Sequence, residues 1–237
     1  MKHTLAFAAA CAVALPAGAA DFSAIGSLTQ TEFRAFSEDI ASAISYKGLI
    51  PSEGLGITGF DLGVSLSGTE LAHRDVLRKA AGGASVPKAI PVAAVRAVKG
   101  LPFDVDIGVI QMNLPDTNVR ATGGELRWAF VGGNTVVPAV ALRISGSSLS
   151  GVPNLKMRTL GGDISISKGF AFLTPYAGVG AVETRSQAPG TALATENFRQ
   201  DKAFVGVNIA LVPLALNIEA DRTGEATSYG VKLAIRW

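Results

Sequence analysis

The last ten residues of the chain show the clearest alternation of apolar and polar side chains. Over residues 228–237, apolar side chains recur at every second position, while Lys232 and Arg236 fall on the opposite parity. Since successive side chains of a β-strand point to opposite faces, this period of two predicts an amphipathic strand. The apolar face of this strand consists of Tyr229, Val231, Leu233, Ile235 and Trp237.

Similar alternation recurs along most of the chain. We therefore predict an antiparallel arrangement of about ten strands, joined by Gly-rich, Pro-rich and polar turns. The predicted strands cover residues 56–67, 91–98, 102–112, 120–131, 135–147, 156–167, 170–184, 202–211, 214–221 and 228–237.

The predicted connections alternate in length. Short turns are expected near residues 99–100, 132–133, 168–169 and 212–213, and longer loops at 68–90, 113–119, 148–155 and 185–201, with a shorter one at 222–227. Membrane β-barrels have short turns at one end and longer loops at the other, whereas a soluble sandwich has no reason to follow this order. The order therefore favours a barrel.

One segment before the first strand has helical rather than strand periodicity. Four apolar residues recur at helical spacing over residues 29–46, and Thr29 and Glu32 have the spacing of a capping box. We predict a helix of about four turns that fills the barrel as a plug, packs at its rim or docks on another protein. A second short helix is predicted at 71–81. The apolar face of the first helix consists of Phe33, Phe36, Ile40 and Ile44.

The N-terminus has the pattern of a secretory signal peptide. Lys2 and His3 precede an apolar run, and small residues come before Asp21, so residues 1–20 are predicted to be removed. The run is too short for a membrane anchor, and a lipid-anchored cut at Cys11 would leave few apolar residues before it. The predicted mature chain consists of an N-terminal segment with the helix, 21–50, and a barrel, 51–237.

The composition indicates how the strands are used. Hydrophobic residues make up 48% and charged residues 17%, yet outside the signal no stretch approaches the roughly 20 apolar residues of a transmembrane helix. Backbone in lipid must satisfy its own hydrogen bonds, which leaves helices or closed barrels. The sequence thus predicts an all-β fold, a closed antiparallel transmembrane β-barrel preceded by a short amphipathic helix.

The final strand, ending in an aromatic residue, resembles the C-terminal signature of Gram-negative bacterial outer-membrane proteins. In that family the barrel-assembly machinery reads this signature, here Tyr229, Val231, Leu233, Ile235 and Trp237. The resemblance covers about ten residues directly and implies two partners, outer-membrane lipid and the assembly machinery. The alternative is an amphipathic edge strand of a soluble β-protein.

Charged residues of both signs lie at the alternate strand positions whose side chains are predicted to point away from lipid, into the lumen. Side chains of this kind can neutralise one another in a hydrogen-bonded network, or form a constriction that selects solutes. The predicted lumen residues are Asp61, Asp104, Asp106, Glu125, Arg127, Arg143, Asp163, Glu219, Asp221, Lys232 and Arg236.

Other chemistries have little support in the sequence. Without Lys2, the chain has 20 basic and 19 acidic residues, and this near-neutral balance argues against a nucleic-acid partner. Cys11 is the only cysteine and belongs to the predicted signal, and no metal-binding or cofactor motif is present. Outer-membrane proteases and lipases need a histidine, for which the mature chain offers only His73, near Asp75.

We therefore expect no catalytic residues, no metal and no cofactor. The predicted function is a small passive channel or transporter for small or apolar solutes, with the helix as a plug. One alternative is a structural or adhesion barrel without a through-pore. A hydrolase that uses His73 is the third hypothesis.

Overall fold

The computed structural model describes residues 22–237 apart from 116 and 135. Two α-helices, α1 (Gln30–Ile44) and α2 (Arg74–Ala80), accompany ten strands. Both predicted helices are confirmed.

The predicted signal peptide lies outside the described residues and stays a prediction. The strands are β1 (Phe60–Glu70), β2 (Ala89–Gly100), β3 (Val105–Asn113), β4 (Arg120–Val131), β5 (Ala139–Ser150), β6 (Lys156–Ser167), β7 (Leu173–Gln187), β8 (Glu196–Leu211), β9 (Leu214–Thr223) and β10 (Ala226–Arg236).

The strands form one closed antiparallel barrel, as the sequence predicted. Each strand pairs with its neighbour in the chain, and β1 pairs with β10 to close the sheet, with Val64 opposite Leu233. Closure gives every strand a neighbour on both sides, so backbone hydrogen bonds are satisfied within the sheet wherever the strands pair. Among the described residues, no helix is long and apolar enough to cross a membrane.

The outer wall carries a continuous apolar belt. Val64 is 57% exposed and Trp128 50% exposed, and alternate residues of the other strands are similarly exposed. Aromatic rings gather at the end marked by Trp237, where the Phe60 and Trp237 rings lie 5.1 Å apart. Water does not stabilise such a surface, whereas lipid does, so the chain is built as a membrane-spanning barrel.

The interior divides into two layers. At the end that carries α2, an apolar core packs α1 and α2 against the inward side chains of the strands, with Phe33 and Phe36 fully buried. Toward the Trp237 end, the inward side chains are charged or polar. The helix therefore fills the apolar half, and a different segment must fill the polar half.

Two inward aromatic rings in the polar half depend on glycines in neighbouring strands. The Phe204 ring lies over Gly178, and the Tyr176 ring lies over Gly206, where a Cβ would overlap the ring. A strand glycine often marks such a close approach. These glycines therefore make room inside a narrow barrel.

Three connections differ in length from the prediction. The turn 132–138 at the Trp237 end is longer than 224–225 at the α2 end, and the predicted loop 185–201 shrinks to 188–195. The polar residues of β7 and β8 near this loop alternate between the inner and outer faces, so the strands continue past the apolar belt. The polar residues at this end of β7 and β8 therefore mark where the apolar belt ends, although the strands themselves continue.

Candidate functional site in the barrel lumen

The predicted lumen residues, with one exception, point into the barrel. Nine of them are buried, and Arg236 is partly exposed near the Trp237 end. The buried ones are Asp61, Asp106, Glu125, Arg127, Arg143, Asp163, Glu219, Asp221 and Lys232.

The placement predicted for Asp104 is wrong. A strand was expected from residue 102, but Pro102–Asp104 form a 3-10 turn outside the barrel, and Asp104 is exposed. Phe103 and Asp104 have positive φ values of 64° and 56°, so the chain reverses there and strand alternation begins only at Val105. The alternate spacing of Asp104 and Asp106 is therefore not strand spacing.

The strand register sets charged side chains of opposite sign against each other. Asp106 lies opposite Arg127 in the register, and Arg143 lies opposite Asp163. Arg127 donates to Asp106 at 2.5 and 3.1 Å, and Arg143 donates to both oxygens of Asp163 at 3.0 Å. Such two-point contacts are the strong form of the arginine–carboxylate pair.

A third group of charges lies beside the closing strand. Asp61 accepts hydrogen bonds from Lys232 at 2.9 and 3.0 Å and from Arg236 at 2.6 and 2.8 Å. Lys232 and Asp61 are both fully buried. The three side chains join β1 to β10, so this group also supports closure of the barrel.

Glu125 lies 3.5 Å from Arg143, and two further carboxylates face the segment that precedes β1. Glu219 accepts hydrogen bonds from the Leu49 backbone N–H at 3.1 Å and the Tyr176 hydroxyl at 3.0 Å. Asp221 lies 3.4 Å from the Lys47 ammonium. The lumen charges thus pair with one another and with this segment.

Helix α1 enters the barrel from the α2 end. Thr29 and Glu32 form the predicted capping box, and Phe22 packs edge-on against Phe36 with ring centroids 5.2 Å apart. The Ser37 hydroxyl donates to the Ser186 hydroxyl at 2.8 Å. Beyond the helix, the chain continues through the lumen as an extended segment. We call residues 29–55 the plug.

Cationic side chains of the wall bind the extended part of the plug through its backbone. Arg96 donates to the carbonyls of Lys47 and Gly48, and Arg127 donates to those of Pro51 and Glu53. In the same way, the Lys202 ammonium donates to the Tyr46 carbonyl at 2.6 Å.

Wall oxygens bind the backbone N–H groups of the same segment. The Ser167 hydroxyl accepts from Ser52 at 3.0 Å, and Asp106 accepts from Leu55 at 3.1 Å. Barrel side chains thus supply partners to both donors and acceptors of the extended chain, and buried backbone groups require such partners.

One small gap lies beside the extended part of the plug. A gap of about 10 Å³, lined by Lys47, Leu49, Ser65 and Arg96, has room for about one water molecule. The plug therefore occupies the lumen and is held to its wall by hydrogen bonds.

Three cations in the lumen are not among those predicted from the sequence. Arg96 and Lys202 bind the plug from the wall, and Lys47 belongs to the plug and pairs with Asp221 of the wall. Lys202 lies on the same face of β8 as Gly206 and Asn208, because alternate residues of a strand point the same way. The alternation of this strand therefore indicated that Lys202 points into the barrel. Arg96 had no such signal, because both faces of β2 carry mainly small apolar side chains. Lys47 lies in a segment without periodicity.

His73, the basis of the hydrolase hypothesis, lies at the mouth of the barrel. Its Nδ1 is 3.5 Å from Asp39 and its Nε2 is 3.7 Å from Glu225, with no hydrogen bond in either case. Asp39 instead accepts from the backbone N–H groups of Ala72 and His73, at the start of α2. Burial raises the pKa of the Asp39 carboxyl. Asp75 is exposed and pairs with Arg78 at 3.1 Å.

These features define a class: a ten-stranded transmembrane β-barrel whose lumen is occupied by its own N-terminal segment. No protein-family model matches the chain, and no curated protein matches it. Within the described residues, no group of side chains could hold a metal ion.

Several solved outer-membrane barrels resemble the chain in structure. The KdgM porin is 7% identical over 76% of this chain and 99% of its own, with a TM-score of 0.38. Omp33 of Acinetobacter baumannii is 5% identical over 78% and 100%, with a TM-score of 0.35. A loop-deletion mutant of OmpT of Vibrio cholerae is 11% identical over 63% of this chain, with a TM-score of 0.33; the chain spans about half of its length, 54%.

Proposed function

We propose that the chain is a Gram-negative outer-membrane barrel, exported by signal peptide 1–20, which works as a structural or binding protein without an open through-pore. The observation that carries this proposal is the plug, whose backbone is hydrogen-bonded to charged wall residues along the lumen. Its proposed partners are outer-membrane lipid and, during biogenesis, the assembly machinery that reads the strand ending at Trp237. We assign no enzymatic role to His73.

The energetics favour a plug that stays in place. Hydrogen bonds to charged groups contribute about 1.5–3 kcal/mol each, and burying a large apolar side chain contributes a similar amount. Release of the plug would break several such bonds and expose Phe33, Phe36 and Ile40. The released state would therefore be sparsely populated unless a ligand or partner favoured it.

A gated channel for small solutes is the second candidate. It is favoured by the polar half of the lumen, where Glu125, Arg143 and Asp163 would line a narrow charged passage if the extended segment moved. The two candidates differ in a single property, which is movement of the plug.

A reversible cross-link between plug and wall tests that property. Because the two hydroxyls are in contact, cysteines in the variant Ser37→Cys/Ser186→Cys should form a disulfide, and the mature chain has no other cysteine. Planar-bilayer conductance is measured for the refolded protein, oxidised and reduced, with Ser37→Cys alone as the matched control. Folding is verified by heat-dependent migration in gels.

The occluded-barrel proposal expects no conductance steps in any of these forms. Steps in the wild type, the reduced double variant and the control, abolished by oxidation of the double variant, would establish the gated channel. Steps that persist after oxidation would show that a passage opens while α1 is held in place, beside the plug or by movement of the extended segment alone, and would contradict the occluded-barrel proposal.

A further inference from the structure

Four cationic side chains form a patch on the outer wall at the α2 end. Lys156 and Arg158 of β6, Arg185 of β7 and Arg199 of β8 are all exposed. Their strand neighbours, such as Met157, are buried inside the barrel, so alternation directs the four cations outward. We call these four residues the basic patch.

The basic patch lacks the partners that cations have elsewhere in the barrel. None of its side chains forms a hydrogen bond or ion pair with another residue in the described part of the chain. Arg158 lies directly opposite Arg185 in the register, an arrangement of like charges that destabilises a sheet. Glu183 is opposite Arg199, yet the two form no ion pair. A bound anion would relieve this repulsion.

A groove on the wall joins the patch to the apolar belt. It has a volume of about 660 Å³, and its lining includes Arg158, Leu160, Arg185 and Arg199 together with one carboxylate, Glu183. A second groove of about 410 Å³, lined in part by Lys156 and Gln187, adjoins it through Arg158 and Arg185. Leu160 is 57% exposed and begins the apolar face of β6.

We propose that the basic patch binds the phosphate groups of a phosphorylated lipid whose acyl chains lie on the apolar belt. Arginine offers two parallel N–H donors that match a phosphate, and two arginines on adjacent strands suit a lipid with more than one phosphate. The groove opens sideways into the bilayer, so its occupant must have an anionic head next to hydrocarbon. Free phosphate would match only the charged part.

Binding of lipid A to the folded full chain in detergent tests the proposal, measured by native mass spectrometry. The probes are diphosphorylated lipid A, dephosphorylated lipid A and inorganic phosphate. The patch variant is Arg158→Gln/Arg185→Gln. The control is Arg120→Gln/Arg222→Gln, which removes two exposed outward arginines at the same end from β4 and β9.

We expect the wild type to bind diphosphorylated lipid A at least tenfold more tightly than the dephosphorylated form. The patch variant should lose at least tenfold in affinity for the diphosphorylated lipid, and the control less than twofold. Equal binding of both lipids, or equal loss in both variants, would overturn the proposal. If inorganic phosphate displaced diphosphorylated lipid A at an equal concentration, the basic patch would be a site for free phosphate. This result would also overturn the proposal.

Discussion

At the scale of single residues, the lumen shows how a narrow barrel accommodates charge. Ionised side chains are costly to bury alone, and this barrel places them as opposite pairs in the strand register. Arg127 goes further, because it joins Asp106 to two carbonyls of the plug. One side chain thus links two strands and the segment between them.

Replacing Arg127 with methionine should strongly destabilise the barrel. The substitution leaves the buried Asp106 carboxylate without its cation, and breaking a buried pair in this way costs about 3–5 kcal/mol. The free energy of unfolding can be measured by guanidinium titration, since Trp128 and Trp237 are the only tryptophans. The double variant Arg127→Met/Asp106→Leu should recover part of the loss. A loss below about 1 kcal/mol in the single variant would contradict a buried pair.

At the scale of elements, the contact of α1 with α2 fixes the entry of the plug. The Lys79 ammonium of α2 donates to both carboxylate oxygens of Glu32 at 2.8 and 2.7 Å. Lys79, together with the Thr29 backbone N–H, lowers the pKa of Glu32 from 4.5 to about 2. The carboxyl therefore stays ionised well below its usual range.

This pKa makes docking of α1 depend on pH. A lowered carboxyl pKa stabilises the docked state fully above pH 4.5, and this contribution is lost as the pH falls toward 2. Pepsin cleavage at Phe33 and Phe36 can report undocking across this range. At pH 4.5, Glu32→Gln should be cleaved severalfold faster than the wild type, and near pH 2 the two rates should converge. A constant ratio of rates would contradict the role of Glu32.

At the scale of the whole molecule, the path of the chain has a topological consequence. Phe22 packs beside α1 at the α2 end, and β1 starts at the opposite end, where Phe60 pairs with Trp237. The chain therefore crosses the full barrel inside its lumen before the first strand begins. If Trp237 faces the periplasm, as in the family that the final strand resembles, the residues near Phe22 face the cell exterior.

Cysteine labelling in intact cells tests this topology. A membrane-impermeant maleimide should label Ser23→Cys, as well as Ser85→Cys in the loop that contains α2, since both residues are exposed at the α2 end. Val136→Cys, which lies in a turn at the Trp237 end and is 83% exposed, should react only after lysis. The reverse pattern would show that the barrel has the opposite orientation in the membrane. Labelling of Ser85→Cys but not of Ser23→Cys would contradict the proposed path of the plug through the lumen.

The sequence by itself determined the barrel and its two faces. A period of two assigns every strand residue to lipid or lumen, and this local rule needs no knowledge of neighbours. It placed Asp61, Arg143 and Lys232 inside and Val231 outside. It failed at Asp104, because a turn with positive φ values can imitate strand spacing over two residues. Helical spacing and a capping box likewise located α1 and its apolar face.

Only the tertiary structure decided what fills the polar half of the lumen. Residues 45–55 bind the wall largely through backbone groups, which are the same in every sequence and leave no pattern to read. The partners of the lumen charges also depend on the strand register, which brings together residues distant in the chain, such as Asp61 and Lys232. Local periodicity therefore determined the direction of each side chain, and closure of the barrel around its own N-terminal segment determined the contacts.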